Sequence, residues 1–411
     1  MSTQLRVERK RLQKRLEDIA QFGRTPGGGV TRITLTEEDR QGRNQLIAWF
    51  KEEGCEIQVD LIGNIFAIYP GTDRSLAPVL TGSHNDTQPG GGRFDGTLGV
   101  IAGLEVVSTL RANNIRPKRD IIVADWTNEE GTRFTPGCTG SGVWAGKLHL
   151  EAMYMLADQE GKLLGDELVK IGYKGAVTGP RLPLHAAYEL HVEQGPILDQ
   201  KNITIGIPEG IVSPRWYDVD ITGEANHAGS TPMDGRRDAL HAFSRIHQRI
   251  REIAIEVNNL VATVGEVEVF PNSRNVIPAK VHFTIDVRGW HVAETDYVCD
   301  AIEQAIETLA AEEGCTAKVH RIWGEGRADF NPHLMGIIES CARNLGYSTL
   351  RMYSGASHDM IYISQVAPGA MIFVPSVGGK SHSEIELTSY EDCAAGADVL
   401  LNALLLSANE D

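Results

Sequence analysis

Apolar residues recur at helical spacing at Leu12, Leu16 and Ile19, predicting an amphipathic N-terminal helix ended by the run GRTPGGG. Thr36, followed by Glu37, Glu38 and Asp39, reads as an N-cap with an acidic first turn, and a second helix is expected to about Gly54. Short β-rich runs follow at 56–59, 64–69 and 78–82. The last leads into the unusual stretch GSHNDTQPGGGRFDGTLGV. A helix over 97–111, the strand IIVAD and the segment WTNEEGTRF come next, and strands alternating with helices in this way predict an α/β sheet covered on both faces. The rhythm changes near Ile211. RWYDVDIT alternates apolar and polar residues, then come a helix (236–256), strands at 260–269 and 280–288, a helix (292–313) and a strand (317–323). That βαββαβ order is a ferredoxin-like split unit. A helix over 332–345, a strand at 371–374 and a closing helix from about 389 restore the α/β character. The expected organisation is a discontinuous domain, 1–212 with 328–411, interrupted by an inserted domain at 213–327.

Composition narrows the class. The 411 residues are 42% hydrophobic and 23% charged, ordinary for a folded globular protein. Lys plus Arg is 39 against 55 Asp plus Glu, a net charge of −16, which disfavours phosphate backbones and anionic lipid, so neither nucleic acid nor membrane is expected as a partner. The N-terminus lacks the apolar core of a secretory signal, and no apolar run approaches the ~20 residues of a membrane span. Six scattered cysteines without a C-x-x-C pair read as buried reduced thiols, so a cytoplasmic protein is expected.

The candidate chemistry sits beside predicted strand ends, where open α/β sheets bind ligands. His84-x-Asp86 stands just past the strand ending at Gly82, and Asp86 could hold the His84 ring through its second nitrogen. Asp95 lies in the glycine-rich turn GGGRFDG, which could equally be a surface loop; no G-K-[ST] follows, so it is not a P-loop. Glu129-Glu130 follows IIVADWTN. An adjacent acid pair is commonly solvated surface, but here a buried strand precedes it. His191 in ELHVEQG and His382 in VGGKSHSEIE mean little singly, since a lone histidine is often a satisfied core residue. Together these imidazoles and carboxylates, without thiolates, suit zinc, manganese, cobalt or nickel, and they exceed the ligand count of one open zinc site. Two divalent metal ions sharing a carboxylate would activate a water for hydrolysis.

The stretches GSHNDTQPGGGRFDG, TNEEGTRF, ELHVEQGPILD, ANHAGSTPMDGRRDAL, NVIPAKVHFTIDVR, SGASHDM and VPSVGGKSHSEIE, in this order, resemble the amidase/hydantoinase/carbamoylase family of dinuclear metal hydrolases. That resemblance implies a zinc-aminopeptidase-like α/β catalytic domain with a ferredoxin-like lid that also forms a homodimer. It implies His84 and His191 on one metal, Glu130 and His382 on the other, Asp95 as the bridge and Glu129 as general base. His227 resembles a lid histidine that stabilises the oxyanion, often in the partner subunit's site. Asn275 and Arg288 resemble the pair holding a substrate α-carboxylate, with Gln194 and the backbone from Gly355 to Ser357 lining the pocket. From the residues alone, Arg288 could be a surface ion pair, His227 a turn cap, Asn275 a turn residue, and His358-Asp359 either a support behind the ligands or only a helix start. The implied reaction is hydrolysis of an N-carbamoyl-L-amino acid to the amino acid, CO2 and ammonia, a side to which Phe94 leans. Allantoate amidohydrolase or β-ureidopropionase is the near alternative, and an N-acyl amino acid deacylase or peptidase the distant one. Two departures, Ser-Glu after His382 where a proline is expected and TPGCTG after the acid pair, bear on pocket shape.

Overall fold

Thr36 is extended and its side chain accepts the backbone N–H of Asp39, which starts the helix Glu37–Glu52 over an acidic first turn. Before it, Leu12, Leu16 and Ile19 are buried on the helix Arg9–Ile19, as their spacing requires. The computed structural model describes residues 4–180, 183–257, 260–323 and 327–410. The strands are β1 Glu56–Val59, β2 Ile65–Tyr69, β3 Val79–His84, β4 Ile121–Trp126, β5 Ala186–Val192, β6 Ile205–Ile211, β7 Ser213–Thr222, β8 Leu260–Phe270, β9 Lys280–Gly289, β10 Thr316–Trp323, β11 Ala328–Asp329, β12 Thr349–Ser354 and β13 Gly369–Val374. The chain separates into two units, Met1–Ile211 with Ala328–Asp411, and Val212–Arg327.

In the first unit the described strands form one mixed sheet in the order β1-β2-β4-β3-β5-β13-β6-β11, with β12 beside β6. Its centre, β4-β3-β5-β13, is parallel throughout. Every residue of these four strands is buried, so both faces are covered, as a parallel core demands. The helix Thr97–Ala112 is buried from Thr97 to Leu110. Burial on every side marks a helix enclosed by protein rather than one lying on the outside. β3 runs two residues past Gly82, because Ser83 and His84 pair with Asp125 and Trp126 of β4; His84 is therefore the last residue of a strand, not a loop residue. The helices Thr139–Trp144, Leu150–Tyr154 and Leu164–Lys170 are too short to show a helical period in sequence.

The second unit has the order βαββαβ and an antiparallel sheet β10-β7-β9-β8, the ferredoxin-like arrangement. Along β9 buried and partly exposed residues alternate, so one sheet face packs on the helices Ala239–Glu256 and Val292–Glu312. The first of these helices begins at Ala239 rather than near 236 because the Asp238 side chain accepts the N–H groups of Leu240 and His241. All six cysteines are free and buried. Among the described residues no helix is long and apolar enough to cross a membrane.

Candidate metal centre

Four adjacent parallel strands point their carboxyl ends at one edge of the sheet, and each supplies a side chain there. His84 ends β3, Glu129 and Glu130 follow β4, His191 is next to last in β5, and His382 lies in the loop after β13. Asp95 comes from the turn between β3 and the helix Thr97–Ala112. The His84 Nδ1 donates to the backbone carbonyl of Asp86 at 2.9 Å, which turns the Nε2 lone pair inward. The Asp86 carboxylate was the expected partner, but it lies 3.8 Å away and accepts instead from the backbone N–H groups of Glu129 and Glu130, 3.3 Å each. Asp86 thus fixes the ring with its main chain and the acid pair with its side chain. His191 is oriented the same way, its Nδ1 donating to the carbonyl of Val192 at 2.9 Å.

Asp95 is the centre of the arrangement. Its Oδ1 lies 3.1 Å from His191 Nε2 and 3.8 Å from His84 Nε2, while its Oδ2 lies 3.1 Å from His382 Nε2. Glu130 Oε2 is 3.6 Å from His382 Nε2 and accepts from Gln88 Nε2 at 2.8 Å. Among the described residues three sets of ligand-capable atoms lie within 4.8 Å of one another: His84 with Asp95 and His191, Asp95 with Glu130 and His382, and, behind the first, Glu189 with His191 and His358. Asp95 belongs to the first two.

The electrostatics favour positive charge at this point. Burial, and then Asp95, pushes Glu130 up to about 8. Burial, followed by Glu130, raises Glu129 well above the usual carboxylate range. Burial pushes His84 down to about 4 against the pull of Asp95, so the ring is neutral, the form in which imidazole ligates a metal. Burial alone would raise Asp95 as well, but bonds from His191 and His382 outweigh it and hold the carboxyl well below its ordinary value. The bond to Asp95 lifts His382 to about 9; for His191 the same bond overcomes burial and the value is again about 9. Crowded buried acids that draw protons onto neighbouring imidazoles make a cavity that prefers cations. The donors are nitrogen and oxygen only, which suits borderline divalent ions. Gly96 completes the cradle: its φ is +62°, and a Cβ there would fall 2.3 Å from the Cε1 and Nε2 of His84. The residues present fit a pair of divalent ions.

Glu129 is 8% exposed, with Oε2 at 3.3 Å from His84 Nε2 and Oε1 at 3.5 Å from Cys138 Sγ. Gln194, expected to line the pocket, directs its Nε2 at Asp95 Oδ2 (2.8 Å) and His382 Nε2 (3.2 Å), and its buried Oε1 has no partner among the described residues. Gly355 and Ser357 lie in the loop after β12, just ahead of His358. The His358 ring is buried, with its centroid 4.4 Å from that of His191. Asp359 is buried beside it and bonded to Ser141.

His227, Asn275 and Arg288 belong to the second unit. The His227 Nδ1 accepts from the backbone N–H groups of Gly229 and Ser230, 3.1 Å each, so this histidine does cap a turn and its proton sits on Nε2. Ala228 donates to the carbonyl of Asn275 at 2.9 Å, and His227 forms a bridge with Val276, which brings His227 and Asn275 together. Arg288 is held by Asp286 on the same strand, with Nη2 to Oδ2 at 2.8 Å.

Residues 80–406 match peptidase family M20/M25/M40. An N-carbamoyl-L-amino-acid amidohydrolase from Rhizobium meliloti is 42% identical over 98% of this chain and 97% of its own length. An allantoate amidohydrolase from Escherichia coli (strain K12) is 34% identical over 97% of both. Among solved structures, an amidase of the hydantoinase/carbamoylase family from Burkholderia multivorans has a TM-score of 0.93 at 44% identity, covering 98% of this chain and 99% of that one.

Proposed function

We propose, from the premise that the chain belongs to peptidase family M20/M25/M40, that it is a metal-dependent amidohydrolase cleaving the ureido C–N bond of an N-carbamoyl-L-amino acid. It is a hydrolase of carbon–nitrogen bonds, as its relatives are. The observation that carries the metal reading is the two-sided Asp95, one oxygen facing His84 and His191 and the other facing His382. On this reading His84 and His191 would hold one ion and Glu130 and His382 the other, with Asp95 placed to serve both. Zinc fits best, and manganese, cobalt or nickel are compatible with the same donors. When bound, such a pair lowers the pKa of a water and polarises the scissile carbonyl.

The chain's own residues do the rest. Glu129 takes a proton from the attacking water and passes it to the leaving nitrogen. Its support is burial beside the cluster and a carboxylate raised toward the basicity that such a base needs. His227 donates from Nε2 to the oxyanion that develops at the carbamoyl carbon, in keeping with the tautomer fixed by Gly229 and Ser230. Asn275 and Arg288 hold the α-carboxylate, a task for which a planar guanidinium is suited. The unpaired Oε1 of Gln194 accepts from the carbamoyl NH2, and Gly355 and Ser357 line the pocket. Closure of the second unit as a lid excludes water, and the same unit forms a homodimer. The products are the amino acid, CO2 and ammonia, and the setting is the cytoplasm.

Allantoate is the second reading, favoured by the relative of that name at 34% identity against 42% for the carbamoyl amino acid enzyme. Ammonia release from a panel of N-carbamoyl-L-amino acids, allantoate, β-ureidopropionate and N-acetyl amino acids decides between them. The highest kcat/KM is expected on an N-carbamoyl-L-amino acid. A tenfold preference for allantoate would replace the proposal.

A further inference from the structure

Glu386 is outside the five cluster residues, yet it touches both loops that carry Asp95 and His382. Its side chain is buried. Oε1 accepts the backbone N–H groups of Phe94 and Asp95, both at 3.0 Å. Oε2 accepts the hydroxyl of Ser381 at 2.8 Å, and that hydroxyl also lies 3.2 Å from Asp95 Oδ2. Ser381 immediately precedes His382. Gly92 makes this approach possible, since a Cβ there would lie 1.9 Å from Glu386 Oε1. On the other flank the N-terminal GRTPGGG run, to which the sequence assigns no function, braces the same body: Val30 donates to the carbonyl of Gly91 at 2.9 Å, and a Cβ on Gly29 would fall 2.8 Å from the Cα of Glu384.

His382 needs such a tie more than the other candidate ligands. Its side chain is 48% exposed, its φ is +51°, and Ile385 and Leu387 beside it face solvent. A loop with so little apolar anchoring would otherwise have to be ordered by the ion, at the expense of affinity.

We propose that Glu386 is a positioning residue, its carboxylate joining the turn that bears Asp95 to the loop that bears His382 so that bridge and imidazole face each other before an ion arrives. This rests on the two-ion reading above. Charge-assisted bonds from backbone N–H groups are strong enough to fix a turn, and groups of this kind behind a ligand typically change metal affinity about 10–100-fold when removed.

The test is a calorimetric titration of zinc into the chelator-stripped full-length protein and its variants. Wild type is expected to saturate at two equivalents. Glu386→Ala is expected to remain folded and to weaken the poorer of the two sites at least about tenfold. Glu386→Gln keeps an amide oxygen for the two N–H groups and should stay within about threefold of wild type; Glu384→Ala, an exposed neighbour, should match wild type. Wild-type affinity in Glu386→Ala overturns the inference, and so does an equal loss in the glutamine and alanine variants. If Glu386→Ala fails to fold, Ser381→Ala carries the test: it severs the link to the His382 loop, and unchanged affinity there overturns the inference as well. A wild type that binds no zinc removes the metal reading and this inference together, whereas two full-affinity sites in Glu386→Ala remove this inference alone.

Discussion

The thiol of Cys138 lies 3.5 Å from Oε1 of Glu129 and donates to it. The chain is folded back to allow this. Cys138 has a left-handed φ of +49°, and its backbone N–H donates to the carbonyl of Glu129 at 2.8 Å. A non-glycine residue in that region is uncommon and is retained where the surroundings fix it, often beside a functional group.

Removing this contact should be felt in turnover rather than in binding. A hydrogen bond of this kind contributes about 1 kcal/mol, so Cys138→Ala is expected to lower kcat about 3–10-fold with KM unchanged. Serine, which keeps a donor, should recover part of the loss. Steady-state kinetics on the three proteins reads this directly.

Glu129→Gln should keep its metal and lose about 10²–10⁴-fold in kcat, the range that general acid–base catalysis supplies. Metal content together with turnover distinguishes loss of the base from loss of the centre. Near-normal turnover would move the base elsewhere.

Arg288→Lys should raise KM at least about tenfold and change kcat less, because an ammonium cannot reproduce the two parallel bonds of a guanidinium to a carboxylate. Michaelis curves on the best panel substrate measure it. An unchanged KM would mean that the α-carboxylate is held elsewhere.

Gly96→Ala should disturb the centre through sterics alone. The added methyl meets the His84 ring at 2.3 Å in a backbone conformation that L-residues rarely adopt. A loss of at least about 1–3 kcal/mol in stability or a failure to hold two zinc ions is expected, checked by chemical denaturation and metal analysis.

Much of this was legible in the sequence. The strand ends, the ferredoxin-like order and the five convergent residues follow from periodicity and from where acids and imidazoles fall along the chain. What sequence missed depends on turn geometry. Asp86 fixes His84 by its carbonyl and not its carboxylate, a choice made by the backbone after β3 and invisible in residue types. Cys138 meets Glu129 only because the intervening loop returns on itself. Glu386 stood in the SHSEIE run, but its contacts to Phe94 and Asp95 join segments nearly three hundred residues apart. His358-Asp359 read equally as support for a ligand or as a helix start; Asp359 does start the helix Met360–Ile363, and the His358 ring packs against His191.

On the proposed mechanism Asp95 would stand between two divalent ions. Anomalous diffraction at the zinc edge, from crystals of the zinc-loaded protein, tests it most directly. Two peaks roughly 3.5–4 Å apart are expected, one against His84 and His191 and one against Glu130 and His382, with an Asp95 oxygen on each. A single peak, or peaks away from Asp95, would contradict it.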